Sequence, residues 1–234
     1  MAPREEPRAS TFLFADIAGY TALTEAHGDE EAADLARDFC GAVANLVAPD
    51  DGELVKTIGD AVMVRYSSPA EAVGLGLRIA DDVMAGHGFP TVRVGLHHGP
   101  ALEREGDWFG ATVNLAARVA GLAGGGEVLV TRPVLEAAGE IEGVTFESRG
   151  ENVVRNVTAP VAVFAAVRED RSAAERHVDP VCRMVVAEGR EAGRFRHHET
   201  EYRFCSQECI QRFLDAPDAY TRRSAATPTI ACGS

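Results

Sequence analysis

Residues 11–21 read TFLFADIAGYT, a short apolar run that reaches Asp16 and breaks at Gly19. An apolar run of this length, bounded by a glycine, is typical of a β-strand that ends in a turn. The stretch therefore predicts a strand with one carboxylate, that of Asp16, placed directly at its end.

The rest of the first 167 residues predicts strands and helices in alternation. Residues 29–48 carry apolar side chains at helical spacing, and residues 52–66 predict two strands joined at Gly59-Asp60, a pair that suits a tight turn. Pro69 opens a second helix. Farther on, the sequence predicts a polar turn at 103–110, a helix at 111–123, and strands at 91–100, 127–130, 144–148 and 159–167. This mixture of hairpins and crossovers predicts a ferredoxin-like α+β sheet, βαββαβ, with helices on one face.

The composition indicates an acidic globular protein. The 234 residues are 46% apolar and carry a formal net charge of −13, and residues 178–223 are neutral, with eight basic and eight acidic side chains. The acidic surface argues against nucleic acid or an anionic membrane as a partner.

No apolar run reaches the roughly 18 residues of a membrane helix, and the N-terminus lacks a signal-peptide pattern. The sequence therefore predicts a cytoplasmic protein.

Asp16 and Asp60 are candidate metal ligands. One follows a strand and the other lies in a hairpin turn, positions from which a rigid sheet can make two carboxylates converge. Such a pair suits two Mg²⁺ or Mn²⁺ ions bound mainly through phosphates, and an acidic protein that binds a triphosphate needs cations. The simpler alternative makes Asp16 a helix cap and Asp60 a turn residue.

Three ordered blocks carry a resemblance to a known family. FADIAGYT, KTIGDAVMV and WFGATVNLAARV resemble the signature blocks of the class III adenylate and guanylate cyclases, over residues 8–167. The resemblance implies that Asp16 and Asp60 bind two catalytic metal ions. It also implies that Asn114 orients the ribose and that Arg118 stabilises charge at the α-phosphate. These two residues lie four apart and share one face of a helix.

Two further positions select the base in this family, and here they are Lys56 and Asp107. Adenylate cyclases carry a lysine and an aspartate or small hydroxyl residue there, whereas guanylate cyclases carry a glutamate and a small residue. A lysine donates to adenine N1 and an aspartate accepts from the N6 amino group. Guanine presents a donor where adenine has an acceptor and an acceptor where adenine has a donor. Each mispaired group would cost about 1–3 kcal/mol of binding free energy. The resemblance thus implies ATP rather than GTP, with a surface lysine and a turn aspartate as the plain alternative.

Members of this family form each active site between two cyclase domains. All six positions are filled in this one chain, so the resemblance implies a twofold homodimer with two equivalent sites. Trp108 and Phe109 are apolar residues in an otherwise polar segment. They are candidate interface residues, or else the tip of a hairpin folded onto its own core.

Other polar residues match the family less closely. Arg155 is a loose match to a lysine that reaches the terminal phosphates in many members, and Asn156 stands where a glycine is usual. The family mechanism assigns nothing to His27, His97 and His98, which read as packed or surface residues.

A second module follows a charged linker at residues 168–177. The segments DPVCRMVV, EYRFCSQECIQRF and APDAY resemble the YHS domain, a short metal-associated module, over residues 178–223. Residues 224–234 read as a flexible tail. A module this small is hard to stabilise without a staple such as a metal ion.

The module brings three cysteines, Cys182, Cys205 and Cys209, and the last two have a spacing compatible with one metal ion. Thiolates favour Zn²⁺ or Cu⁺. His197, His198 or an open position would complete the set. The alternative is three buried cysteines in a small core.

The sequence therefore predicts an adenylate cyclase that converts ATP to 3′,5′-cyclic AMP in intracellular signalling. Two alternatives stay open: a guanylate cyclase, and a catalytically silent, metal-responsive signalling scaffold. The role of the YHS module is also open, since only its adjacency links it to the larger domain.

Overall fold

The structure, a computed structural model, describes residues 8–47, 52–83, 88–170 and 177–221. Residues 171–176 of the predicted linker and the whole predicted tail lie outside them. The first part of the chain runs β1 (Arg8–Ile17), α1 (Tyr20–His27), α2 (Asp29–Val47), β2 (Glu53–Ile58), β3 (Ala61–Tyr66), α3 (Pro69–Arg78), a π-helical turn (Ile79–Val83), β4 (Val92–Arg104), β5 (Asp107–Phe109), α4 (Ala111–Leu122), β6 (Val128–Thr131), α5 (Arg132–Ala138), β7 (Val144–Asn152) and β8 (Val161–Arg168). The second part runs β9 (His177–Val178), β10 (Val185–Val186), β11 (Gly193–His197), β12 (Thr200–Phe204), α6 (Gln207–Asp215) and α7 (Pro217–Thr221).

Within the described residues, eight strands form one sheet in the order β2-β3-β1-β4-β6-β8-β7, and β5 pairs with the end of β4. Strand β1 is antiparallel to both of its neighbours, β3 and β4. Its register sets Asp16 opposite Ala61 on one side and Arg93 on the other. The strand end predicted from the sequence therefore lies between two other strand ends.

The two faces of the sheet carry different layers. Alternate residues of β1, among them Leu13 and Ile17, are buried in a core with α1, α2, α3 and α5. Phe12 points to the other face, where it packs with Met63, Trp108 and residues of α4. The prediction of helices on one face is thus wrong for α4, because the apolar stripe of that helix covers the opposite side of the sheet.

Gly95 of β4 permits the close approach of α4. A Cβ atom built at this position would lie 1.9 Å from the backbone nitrogen of Ala120. Backbone cannot swing aside as a flexible side chain does, so any larger residue here forces the helix off the sheet. The sequence shows this glycine only as one residue of a strand.

The hairpin of β2 and β3 and the start of α3 follow the predictions. Gly59 has φ 62°, the left-handed conformation that a tight turn needs, and Ser68 caps α3 by accepting from the Glu71 amide. The segment 103–110 differs from the predicted polar turn, because β4 continues to Arg104 and β5 pairs back onto it.

The second part of the chain packs directly on the first. Backbone hydrogen bonds join the two parts: Gly88 N–H donates to Val185 O at 3.1 Å, and Val185 N–H donates to Phe89 O at 2.9 Å. Thr91 N–H adds a bond to Arg183 O at 3.0 Å. Met184 and Phe213 belong to the same buried cluster as β1. The two parts therefore share a core, although the sequence predicted only a linker between them.

No helix in the described ranges has the combination of length and apolar character required to cross a bilayer.

Replacing Gly95 with alanine should lower the free energy of unfolding by about 3 kcal/mol or more, because the added methyl group meets backbone. Gly41→Ala is the matched control: it lies on the exposed side of α2, and its added Cβ meets nothing within 4 Å. That variant should gain roughly 0.5–1 kcal/mol. Urea denaturation measures both, and a Gly95→Ala protein as stable as the parent would contradict the close packing of α4.

Candidate functional site

Two carboxylates meet at one end of the sheet. Asp16 is the penultimate residue of β1, and Asp60 lies in the turn that joins β2 to β3. Because Asp16 is in register with Ala61, Asp60, the turn residue just before Ala61, lies close to it. The pairing of β1 with β3 thus brings together the two predicted metal ligands.

The electrostatics of this pair fit a cation site. Burial raises the pKa of Asp60, and the negative charge of Asp16 raises it further, while backbone N–H groups and the charge of Arg93 lower it. The two neighbouring carboxylates repel each other, and a bound cation would offset that repulsion. Hard oxygen donors of this kind match Mg²⁺ or Mn²⁺.

Arg93 supplies positive charge in the structure, and the sequence reasoning missed it. Its guanidinium donates to both oxygens of Asp16, through Nε to Oδ1 and through Nη2 to Oδ2 at 3.0 Å. The hydrogen bond to Asp16 raises the pKa of Arg93. Only the antiparallel register of β1 and β4 sets the two residues opposite each other, and no local sequence signal reveals that register.

Lys56 and Asp107, the predicted base-selecting residues, contact each other. The Lys56 ammonium donates to Asp107 Oδ2 at 2.6 Å, and the Trp108 amide donates to Asp107 Oδ1 at 2.8 Å. The bond from Lys56 lowers the pKa of Asp107. The ammonium also lies 5.8 Å from the centroid of the Phe109 ring. The hairpin of β4 and β5 therefore brings a donor and an acceptor side by side, although they are far apart in sequence.

Asn114 and Arg118 lie on α4, which packs its buried side chains, such as Ala116, against the sheet. Asn114 is exposed and Arg118 is half-buried. Neither side chain makes a hydrogen bond or ion pair with any residue that the structure describes. Within one chain, no described contact connects them to Asp16 and Asp60.

Trp108 and Phe109 differ in burial, and each fits a different one of the two predicted roles. Trp108 is 4% exposed and packs on Phe12, with ring centroids 5.6 Å apart, whereas Phe109 is 50% exposed. Trp108 is therefore core, and Phe109 alone stays a candidate interface residue. Asn156 adopts φ 58°, which gives a physical reason for a glycine at this position in related sequences. Arg155 beside it is exposed.

His97 and His98 are packed, which is one of the two positions that the sequence left open. His97 Nδ1 pairs with the Thr131 hydroxyl at 2.7 Å, and His98 Nδ1 pairs with the Thr11 hydroxyl at 2.9 Å. Burial lowers the pKa of His97 to about 4 and also lowers that of His98. Both imidazoles are therefore neutral at physiological pH.

The three predicted thiols converge, and a histidine from the first part of the chain joins them. Cys182, Cys205, Cys209 and His27 place their ligand atoms within 4.8 Å of one another. We call this set the thiol–histidine cluster. Hydrogen bonds from the other two thiols lower the pKa of Cys209. The sequence reasoning took His27 for a packed or surface residue, and no spacing rule links it to cysteines more than 150 positions away.

His197 and His198, the suggested completing ligands, do not join the thiols. They form a separate group with Asp218, more exposed than the thiol–histidine cluster. Ring contacts explain the position of His197, whose centroid lies 5.9 Å from that of Phe213. Cys40 is half-buried on α2, and Cys232 lies outside the described residues.

Comparison with known proteins identifies both parts of the chain. The profile of the adenylate and guanylate cyclase catalytic domain matches residues 3–165, and that of the YHS domain matches residues 177–224. The chain is 38% identical over 169 residues to a pH-sensitive adenylate cyclase of Mycobacterium tuberculosis (strain CDC 1551 / Oshkosh), covering 71% of this chain and 42% of that protein. It is 39% identical over 117 residues to an adenylate cyclase of Streptomyces griseus, covering 50% of this chain and 29% of that protein. The chain thus spans less than half the length of these curated relatives.

Solved structures share the fold of the first part. An adenylate cyclase of Trypanosoma brucei, solved in its monomeric state, superposes with a TM-score of 0.64 at 24% identity, covering 73% of this chain and 92% of that one. The adenylyl cyclase CyaB of P. aeruginosa gives 0.62 at 21% identity, covering 71% and 97%. These likenesses confirm the predicted fold class.

Proposed function

Because this chain belongs to the adenylate and guanylate cyclase catalytic-domain family and carries a YHS domain behind it, we propose that it is an adenylate cyclase. It converts ATP to 3′,5′-cyclic AMP and pyrophosphate, through attack of the ribose 3′-oxygen on the α-phosphorus. The single observation that carries the choice of substrate is the contact of Lys56 with Asp107. ATP as substrate and the free thiols of the cluster fit the cytoplasm.

Asp16 and Asp60 are the residues that hold the two divalent cations. When bound, Mg²⁺ or Mn²⁺ neutralises the triphosphate and makes the ribose hydroxyl easier to deprotonate. The sheet fixes both carboxylates, so they need little rearrangement when the cations bind. Arg93 is paired with Asp16, and its positive charge offsets the negative charge of this end of the sheet before the cations bind.

Lys56 and Asp107 read the base. The lysine donates to adenine N1, and the aspartate accepts from the N6 amino group. Their mutual hydrogen bond at 2.6 Å supports this role. It places a donor and an acceptor side by side, as the neighbouring N1 and N6 positions of adenine require. Guanine would set its N1–H against the ammonium and its O6 against the carboxylate, and such mispaired groups give the discrimination.

Asn114 and Arg118 position the rest of the substrate. Asn114 orients the ribose, and the forked guanidinium of Arg118 binds oxygens of the α-phosphate. Both side chains are without partners among the described residues, which leaves their hydrogen-bonding groups available to a ligand. The presence of all six family residues weighs against the silent scaffold.

Each active site is shared by two copies of the chain. One copy supplies Asp16 and Asp60, and its partner supplies the base-reading pair and the residues of α4. Ile58, Phe109 and Leu122 are exposed apolar residues, at 52%, 50% and 39%. They lie on β2, β5 and α4, the elements that carry or adjoin the site residues, and a second copy that covers them would also complete the site.

The purified 234-residue chain with Mn²⁺ should produce cyclic AMP from ATP and little cyclic GMP from GTP. Asp60→Asn should lower this activity at least about 100-fold, because the variant removes one of the charges that hold the cations. Asp34→Asn, on the exposed surface of α2, is the matched control and should keep full activity. Silence with both nucleotides from folded protein, or an active Asp60→Asn variant, would contradict the proposal.

Exchanging the base-reading pair should change the substrate preference. The double variant Lys56→Glu, Asp107→Cys should reduce the ratio of kcat/KM for ATP to that for GTP by about 30-fold or more, because two favourable pairings with adenine become mismatches. A control with the same changes in charge uses Arg37→Glu and Asp34→Cys, an exposed ion pair on α2. An unchanged ratio in the first double variant would exclude this pair from base selection.

A further inference from the structure

Three distances within the thiol–histidine cluster match those between ligands around one tetrahedral ion. A tetrahedral zinc site with ordinary bond lengths has ligand atoms about 3.8 Å apart for two sulfurs and about 3.6 Å apart for sulfur and nitrogen. Here Cys205 Sγ lies 3.8 Å from Cys209 Sγ and 3.6 Å from His27 Nε2, and Cys209 Sγ lies 3.9 Å from the same nitrogen. Cys182 Sγ closes the group at 3.3 Å from Cys205 Sγ.

The His27 ring is oriented as a metal ligand would be. Its Nδ1 lies 3.3 Å from Glu31 Oε1, in the first turn of α2, and its side chain is 11% exposed. A carboxylate on one ring nitrogen holds the proton there and leaves the lone pair of the other nitrogen free, the arrangement usual for histidines bound to zinc. That other nitrogen, Nε2, faces the thiols.

Asp179 holds the two cysteine loops in place. This fully buried carboxylate accepts from the amides of Val181 and Cys205, both at 2.8 Å, and from that of Cys182 at 3.4 Å. One side chain thus ties together two loops that are more than 20 residues apart. Cys209 is fixed separately, in the first turn of α6, where its amide donates to Ser206 Oγ at 3.1 Å. The thiols therefore converge on a preformed position.

We propose that the thiol–histidine cluster binds one zinc ion, and that the cyclase domain supplies the fourth ligand through His27. Three thiolates and one imidazole in a tetrahedral array are a structural zinc set. The site is independent of the proposed reaction, because it contains none of the residues assigned to ATP or to the catalytic cations.

This ion fastens the YHS module to the end of the sheet that carries Asp16. Helix α1 starts four residues after Asp16 and ends at His27. Arg212 Nη2 also donates to the carbonyl of Glu25 at 2.5 Å, and the Arg183 side chain lies 3.0 Å from a Cβ built on Gly19. The module therefore holds both ends of α1, with the ion at the far end.

Cobalt titration of the full-length, reduced protein tests the proposal directly. Bands from thiolate-to-cobalt charge transfer report only on sites with sulfur ligands, so ions at Asp16 and Asp60 do not interfere. The wild type should bind one Co²⁺ per chain at the thiolates with tetrahedral ligand-field bands, and Zn²⁺ should displace it. His27→Ala should lower the affinity about 100-fold or more, since the binding free energy of such a site is spread over four ligands.

Two variants and one control make the result decisive. His27→Cys should restore tight binding with stronger charge-transfer bands from a fourth thiolate, even if the alanine variant folds poorly. Glu31→Gln should weaken binding by about 10–100-fold. His198→Ala, outside the cluster, should change nothing. A His27→Ala protein with wild-type affinity and spectrum would overturn the proposal. So would cysteines of the reduced protein that form a disulfide instead of binding the ion, or that bind Cu⁺ equally well whatever residue stands at position 27.

The single tryptophan gives a readout of the link between the two parts. Trp108 is the only tryptophan of the chain and is buried in the cyclase domain. Zinc at one hundred times its Kd should raise the melting temperature followed by Trp108 fluorescence by roughly 5–10 °C in the wild type. In His27→Ala this shift should disappear. An equal shift in both proteins would show that His27 does not connect the ion to the cyclase domain.

Discussion

Strand β1 is hydrogen-bonded along both edges, and the other features of the molecule depend on that double pairing. A strand held on both sides cannot slip by one residue without moving every side chain to the wrong face. The pairing fixes Asp16 between Ala61 and Arg93, and it divides the side chains of β1 between two cores. It also sets the point from which α1 departs toward the YHS module.

The same strand end connects two kinds of cation chemistry. On one side lie hard carboxylate oxygens with an arginine as counterion, which suit ions that bind through phosphates. Eleven residues beyond Asp16, His27 lies among three cysteine sulfurs, soft donors that suit zinc. One short helix, α1, joins the two places, so the position of the module depends on that of Asp16.

The local part of this architecture was predictable from the sequence, and the long-range part was not. The hairpin of residues 52–66, the start of α3 at Pro69 and the position of Asp16 at a strand end follow from turn residues and apolar patterns. Arg93, the face that α4 covers and the role of His27 depend on register and packing between distant segments. Trp108 shows the difference: the sequence left open whether it packs on its own core or on a partner, and the pairing of β5 with β4 sets its ring against Phe12.

The central claim is that each active site combines the carboxylates of one chain with α4 of another. Mixing two inactive variants, Asp60→Asn and Arg118→Ala, tests it most directly. In the mixed dimer one of the two sites has both residues intact, so the account predicts recovery of about one quarter of the wild-type activity at random pairing. A mixture that exchanges subunits and stays as inactive as its components would contradict the shared site.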